Sequence, residues 1–417
     1  MLHKRRTRCT YQLKRDKQLH IYFCYTIMKL YVSILVMLLC IACSQQQHVV
    51  TGYIEGSAPT LFYLESQKQP DDKRFDRYRV VDIIRLETSD DCLLNSVQQV
   101  EVVDSLFIVL DYSNKLFVFN KDGHFKNTIG SRGEGPDQYA VISGFYIHND
   151  SSIVILDDYK SCMKEYSLEG RFISSTLVEL EDIQNCKQAL PMGRHLLLYN
   201  WINRNENMAY SVFDLETNQL SGRYFPYGIT TNRYLYSFAK HPMAVSDHGI
   251  DFILPLCDTI YTYKNSIFQA KFLIKHPWKT AGRHLITPHT KSYNADLYEL
   301  NRKGFFTGFT SLYETDKHLL LEYKESGCIL GFLLFDKSSH QGNAYLYSVS
   351  EKTKSLHFSP VIGTTRHYFL SALNSDFART IGSQIEASNE AERKLKLWAS
   401  TIKDEDNPCL IIYEILP

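Results

Sequence analysis

Asp104-Ser105-Leu106-Phe107-Ile108-Val109-Leu110-Asp111, followed by Lys115-Leu116-Phe117-Val118-Phe119-Asn120-Lys121-Asp122-Gly123, is matched further along the chain. The second copy is Asp150-Ser151-Ser152-Ile153-Val154-Ile155-Leu156-Asp157 followed by Met163-Lys164-Glu165-Tyr166-Ser167-Leu168-Glu169-Gly170. Ile108 and Ile155 stand 47 residues apart, as do Gly123 and Gly170. Each copy holds a short continuous apolar run, a polar turn, a second strand ending in an aromatic, and a turn with Asp or Asn before Gly. Apolar runs of this length fit strands buried on both faces. The Asn/Asp/Gly cluster supplies the positive φ angles or side-chain hydrogen bonds that a tight hairpin needs.

Weaker copies extend the pattern. His195–Tyr199 precedes Tyr210–Asp214, Ile250–Leu254 precedes Thr259–Asn265, and His318–Tyr323 precedes Ile329–Asp336. A last unit joins His367–Ala372 to the terminal run Cys409–Tyr413. Units of about 40–50 residues, each unable to bury both faces alone, predict an all-β fold: a six-bladed β-propeller over residues 75–417. Ring closure calls for strands from both chain ends in one blade, and Val80–Leu86 and Leu410–Tyr413 are available for it. A pair of β-sandwiches is the alternative. Ala391, Leu395, Trp398 and Ile402 recur at helical spacing after Asn389, with Glu392 in the capping-box position, and predict a short amphipathic helical insertion near the C-terminus. Lys275–Thr310, interrupted by Pro277 and Pro288, reads as irregular.

The amino end suggests a compartment. Residues 1–27 carry seven basic residues against the single acid Asp16 and read as a non-native extension before a start at Met28. Residues 28–42 have the layout of a secretory signal: Lys29, the apolar run Leu30–Ala42, then Cys43. The apolar run falls short of the ~20 residues a spanning helix needs. Ala42-Cys43 resembles the cleavage site of bacterial lipoproteins, which implies lipidation at Cys43, a linker over 43–74, and a membrane as partner through the lipid. Residues 43–417 hold 38 basic and 45 acidic side chains, a formal net charge of −7 that argues against nucleic acid as partner. Cys92, Cys162, Cys186, Cys257, Cys328 and Cys409 are widely spaced and read as buried thiols.

Ile129-Gly130-Ser131-Arg132-Gly133-Glu134-Gly135-Pro136-Asp137-Gln138-Tyr139 resembles the Ile-Gly-x-x-Gly-x-Gly-Pro-x-x-Tyr/Phe segment of the NHL-type six-bladed propeller lipoproteins of gut bacteria. Asp258–Tyr261 and Asn407–Tyr413 look like the same branch. Read from the residues, the three glycines permit backbone conformations closed to others and Pro136 starts the next lead-in. The order of the glycines and the β unit that follows exclude a dinucleotide loop. Arg132 and Glu134 are candidate binding residues, with Tyr139 of the motif and Tyr227 of the aromatic stretch Tyr224–Gly228.

No G-x-S-x-G elbow, Walker loop, H-E-x-x-H or EF-hand loop occurs in the sequence. The first reading is therefore an exported, monomeric binding platform of the cell envelope, for a glycan, a peptide or a protein partner. The second is a hydrolase or lyase with a metal, such as Ca²⁺, in the central channel. The resemblance admits both, and His284, His289 and the pair Asp157-Asp158 are the residues that could serve a metal. A purely structural envelope protein is the third.

Overall fold

The computed structural model describes residues 58–64, 75–179, 183–200, 208–226, 239–281, 299–325, 329–347 and 356–417. The chain divides into Met1–Val49, outside the described residues, and Val50–Pro417, to which everything below refers. The extension, the signal segment, Cys43, Tyr227, His284, His289 and Cys328 also lie outside the described residues.

Strands β1 (Thr60–Leu64) and β2 (Tyr78–Arg85) come first. The first antiparallel meander is β3 (Val97–Val103), β4 (Leu106–Asp111), β5 (Leu116–Asn120) and β6 (Phe125–Thr128). The second is β7 (Gly144–His148), β8 (Ser152–Asp157), β9 (Cys162–Ser167) and β10 (Phe172–Leu177). The third is β11 (Cys186–Met192), β12 (His195–Asn200), β13 (Met208–Asp214) and β14 (Gln219–Pro226). A fourth, β15 (Met243–Ser246), β16 (Gly249–Ile253), β17 (Thr259–Lys264) and β18 (Ile267–Lys275), is followed by the short parallel pair β19 (Lys279–Thr280) and β20 (Phe305–Phe306). Next comes β21 (Phe309–Glu314), β22 (His318–Glu325), β23 (Ile329–Asp336) and β24 (Gln341–Leu346). β1 runs parallel between β18 and β24, so these two meanders share one nine-stranded sheet. The stretch 43–74, expected as linker, thus contributes a strand.

The last meander closes the chain on itself. β25 (Val361–Thr364), β26 (Phe369–Leu373) and β27 (Cys409–Ile415) take β2 as their fourth strand, antiparallel, with Ile83 opposite Ile411. This is the expected pairing of the two ends. First strands neighbour one another in succession, β7 with β11, β11 with β15, β15 with β21, β21 with β25 and β25 with β3. An apolar cluster fills each gap between successive meanders: Ile108 with Ile153, Leu156 with Leu198, Tyr210 with Phe252, Ile253 with Leu321, Leu320 with Phe369, and Leu410 with Val109. The arrangement is β-rich and propeller-like, because successive meanders pack on one another through these apolar clusters.

Gly123 and Gly170, the repeat-spaced pair, both have positive φ, 86° and 81°, as the turn chemistry requires. The expected helix is α2 (Glu390–Trp398); α1 (Ser375–Gln384), which precedes it, was not expected. Asn389 Oδ1 accepts from the Glu392 amide at 2.9 Å, while the Glu392 carboxylate turns to the Ser388 amide at 2.7 Å. The box is therefore displaced by one residue. Ala391, Leu395 and Ile402 are buried against the last meander.

Two expectations need correction. The aromatic stretch from Tyr224, whose residues suit a loop, instead begins inside strand β14, because Tyr224 pairs with Tyr210 and Phe225 packs on Phe252. Gly133 and Gly135 do not use positive φ; of the motif's glycines only Gly130 does, at 60°.

Candidate functional site

The first strands line an axial channel, and their polar residues follow from that position. β3 carries Gln98, Gln99 and Glu101 between buried valines, and β11 carries Lys187 and Gln188. One mouth lies on the face where first strands begin and where the turns between second and third strands stand. There a cavity of about 260 Å³ is lined by Gln98, Gln99, Tyr112, Lys187, Lys240, His241 and Tyr313, among others. The opposite mouth, about 330 Å³, is lined by Glu101, Gln188, Glu314, Lys337 and Arg366 among others, and His241 borders both.

His241 is held tightly. Its Nδ1 donates to the Leu312 carbonyl at 2.9 Å, Gln188 Nε2 lies 3.2 Å from its Nε2, and its ring stacks on Tyr313 at 4.5 Å. Gln188 is fixed in turn by the Met243 backbone, whose carbonyl accepts from Nε2 and whose amide donates to Oε1, both at 2.9 Å. Burial pushes the His241 imidazole down to about 4, so it is neutral at pH 7. Burial also raises the Glu101 carboxyl, opposed by the hydrogen bond from Gln99 at 2.8 Å. Glu322, behind the channel wall, is raised by burial too; Lys240 is among the groups that oppose it, and Tyr347 donates to it at 2.9 Å.

A buried charge cluster joins the fourth and fifth meanders beside the far mouth. Lys271 pairs with Asp251, which is fully buried, and Lys337 Nζ lies 2.6 Å from Glu314 Oε1. Burial and the neighbouring Glu314 push Asp251 up to about 8 against the pull of Lys271. Lys271 Nζ also lies 3.7 Å from Glu314 Oε1, so the cluster ties together the two meanders of the nine-stranded sheet.

On the near face, beside the channel mouth, a cleft of about 750 Å³ is lined by Arg132, Glu134, Asp158, Tyr159, Gln184 and Asn185. Here the glycine motif takes its place. Its loop is pinned from the second meander: Lys160 Nζ donates to the carbonyls of Gly133, Gly135 and Gln138 at 2.7, 3.2 and 3.1 Å. Lys164 Nζ reaches the Pro136 carbonyl at 2.6 Å, and the Tyr166 hydroxyl donates to the Asp137 carbonyl at 2.9 Å. Gly133 allows a close approach, since a Cβ there would sit 2.2 Å from the Gln138 side-chain oxygen. The loop holds Arg132 and Glu134 exposed at the cleft, whereas the Tyr139 ring is 2% exposed and packs with Ile129 and Phe145 in the core. Tyr139 is therefore placed as a packing residue.

Asp157 and Asp158 serve the backbone. Asp157 accepts from the amides of Ala140 and Lys160 at 2.6 and 3.1 Å, and Asp158 accepts from the Asn185 amide at 3.1 Å. No group of three or more His, Cys, Asp or Glu that could hold a metal occurs among the described residues. Cys92, Cys162, Cys186 and Cys409 are buried free thiols and Cys257 is a half-buried one.

The reading of the residues missed Tyr112, Tyr159, Lys187 and Lys240. Tyr112 and Tyr159 are 59% and 75% exposed, each in the turn between second and third strands, 47 residues apart. That spacing, shared with Gly123 and Gly170, was the available signal. Lys187 is the second residue of β11 and Lys240 lies just before β15, where no linear motif marks them.

The family model described as "Domain of unknown function (DUF4934)" matches residues 67–414. No curated protein matches the chain. Among solved structures, a Bacteroides fragilis protein assigned to export aligns over 86% of this chain and 100% of its own, with TM-score 0.69 and 18% identity, a similarity of fold. A Bacteroides vulgatus member of the DUF4221 family aligns over 81% of this chain and 98% of its own, with TM-score 0.48 and 12% identity. BamB of Moraxella catarrhalis aligns over 76% and 71%, with TM-score 0.30 and 6% identity.

Proposed function

We propose that this chain, which belongs to the DUF4934 family, is an exported binding protein of the bacterial cell envelope. Its meanders are the six blades of an NHL-like propeller, fastened by β2 and β27, and the ring is tethered through a lipidated Cys43 after removal of residues 28–42. The signal layout supports export, and so does the likeness to a B. fragilis protein assigned to export. The ring is a rigid platform that holds its ligand on the face where first strands begin.

The observation that carries this reading is the pairing, on one face, of the channel mouth and the adjoining cleft, each rimmed by an exposed tyrosine. An exposed ring on a turn contributes little to folding, whereas rigid, amphipathic Tyr contributes strongly to recognition. The test is a glycan and peptide array probed with the full chain in detergent and with the Tyr112→Ala/Tyr159→Ala double variant. A ligand class bound saturably by the wild type and lost in the double variant is expected. Binding that survives unchanged in the double variant contradicts the assignment of the face.

A further inference from the structure

We infer that the outer edge of β10 is an interface on which a second copy of this chain adds its own β10, antiparallel, so that two chains pair where the sequence suggested a monomer. β10 is the outermost strand of its meander, and no strand lies beyond it among the described residues. An open strand edge offers its backbone amides and carbonyls to any extended chain, and proteins guard such edges with charge, proline, shortness or a cover. The other outer edges are guarded in those ways. β1 lies between β18 and β24 and caps both. β6 is four residues long and carries Lys126. β14 holds Arg223 and Pro226, and β2 holds Arg79, Asp82 and Arg85, with Lys394 of α2 reaching Asp82 at 2.7 Å. Phe172–Leu177 carries no charge and no proline. Its Ile173 and Leu177 are 52% and 80% exposed, an apolar pair that the fold leaves in water.

The occupant follows from the strand's own sequence. The register of β10 with β9 shifts once, between Phe172 and Ser174, and is regular from Ser174 on. The Val178 amide donates inward to the Ser161 carbonyl at 3.0 Å, so alternation along the strand turns the amides and carbonyls of Leu177 and Ser175 outward. When two such edges pair antiparallel, outward residues must face outward residues, and the register can slip only in steps of two. The register centred on Ser175 sets Ile173 against Leu177 of the second copy and brings Arg171 level with Glu179 of the second copy, all four residues being exposed. Two-fold symmetry makes each of these contacts twice. Within its own chain Arg171 lies 3.3 Å from Glu169, an exposed pair that water screens. A slip of two residues either way would set Leu177 against Arg171 or Ile173 against Glu179, an apolar side chain against a charge. This self-complementarity favours a second copy over an unrelated strand. β10 stands three strands out from β7, which lines the channel, so the inference is independent of the binding face.

The experiment is sedimentation velocity of the full chain in density-matched detergent over a concentration series, with circular dichroism to follow the fold. A concentration-dependent dimer is expected. Ile173→Lys/Leu177→Lys, at two exposed positions, is expected to keep the spectrum and to weaken the dimer by at least about ten-fold, since like charges then face each other across the pair. Arg171→Glu is expected to weaken it by about three- to ten-fold, and the reversed pair Arg171→Glu/Glu179→Arg to restore it. Ser175→Cys is expected to give, on mild oxidation, a disulfide-linked dimer beyond any that the wild type forms. Facing residues of a hydrogen-bonded pair stand about 5.5 Å apart at Cα, inside the span of a disulfide. A monomer at every concentration, or a dimer indifferent to the paired lysines, overturns the inference. Failure of both the charge reversal and the cross-link overturns the register centred on Ser175, and with it the assignment of a second β10.

Discussion

His241 and Asp251 are buried titratable groups with opposite consequences for stability. The folded imidazole, at about 4, lies below its ordinary 6.5, so the unfolded chain takes up the proton first. Its contribution is complete above pH 6.5 and is lost as pH falls toward 4. The Asp251 carboxyl, raised from 3.8 to about 8, contributes fully below its unfolded value and loses that contribution as pH rises through about 8. Between these two, only Asp251 still titrates above pH 6.5. The Tm of the wild type is predicted to fall from pH 6.5 to 8.5, and to fall less in Asp251→Asn, where the raised Glu101 and Glu322 carboxyls remain; the acid arm below pH 6.5 becomes shallower in His241→Gln. At Gly123 a Cβ would meet the Arg85 carbonyl oxygen at 2.2 Å with φ at 86°, so Gly123→Ala is predicted to cost about 2 kcal/mol or more in urea unfolding.

Elements were legible where burial is two-sided. β4, β8 and β12 are continuous apolar runs because sheets cover both of their faces, and their sequences announce it. First strands were not legible. β3 reads Val-Gln-Gln-Val-Glu-Val-Val because Gln98, Gln99 and Glu101 border cavities and are only partly covered, where a packed core would not take them. The outer strand β10, Phe-Ile-Ser-Ser-Thr-Leu, is largely exposed and gave no apolar signal either. α1 escaped notice because it buries only Ser375, Ala378, Ile381 and Gly382, small residues except one. α2 was legible through its cap and its apolar stripe. Asn389→Ala is predicted to lower stability by about 1 kcal/mol, read as a shift in urea midpoint without a change in slope.

At the scale of the whole molecule, the repeat and the two ends of the chain specify closure, while the candidate site is spread over lead-ins and turns of different meanders. Arg132 and Glu134 were found through the glycine loop that holds them. Lys187 and Lys240, 53 residues apart in sequence, meet only because the ring brings their first strands to one mouth. The proposed lipid attachment at Cys43 has its own test. Cys43→Ser is predicted to move the protein from the membrane fraction to the soluble fraction and to abolish incorporation of labelled fatty acid; unchanged partitioning would contradict the anchor. The central claim is that ligand sits on the face where the first strands begin. It is tested most directly by hydrogen–deuterium exchange of the full chain with and without saturating array ligand. The account predicts protection at 111–115, 158–161, 184–188 and 239–241. Protection confined to the opposite mouth, at 246–248 and 364–367, would contradict it.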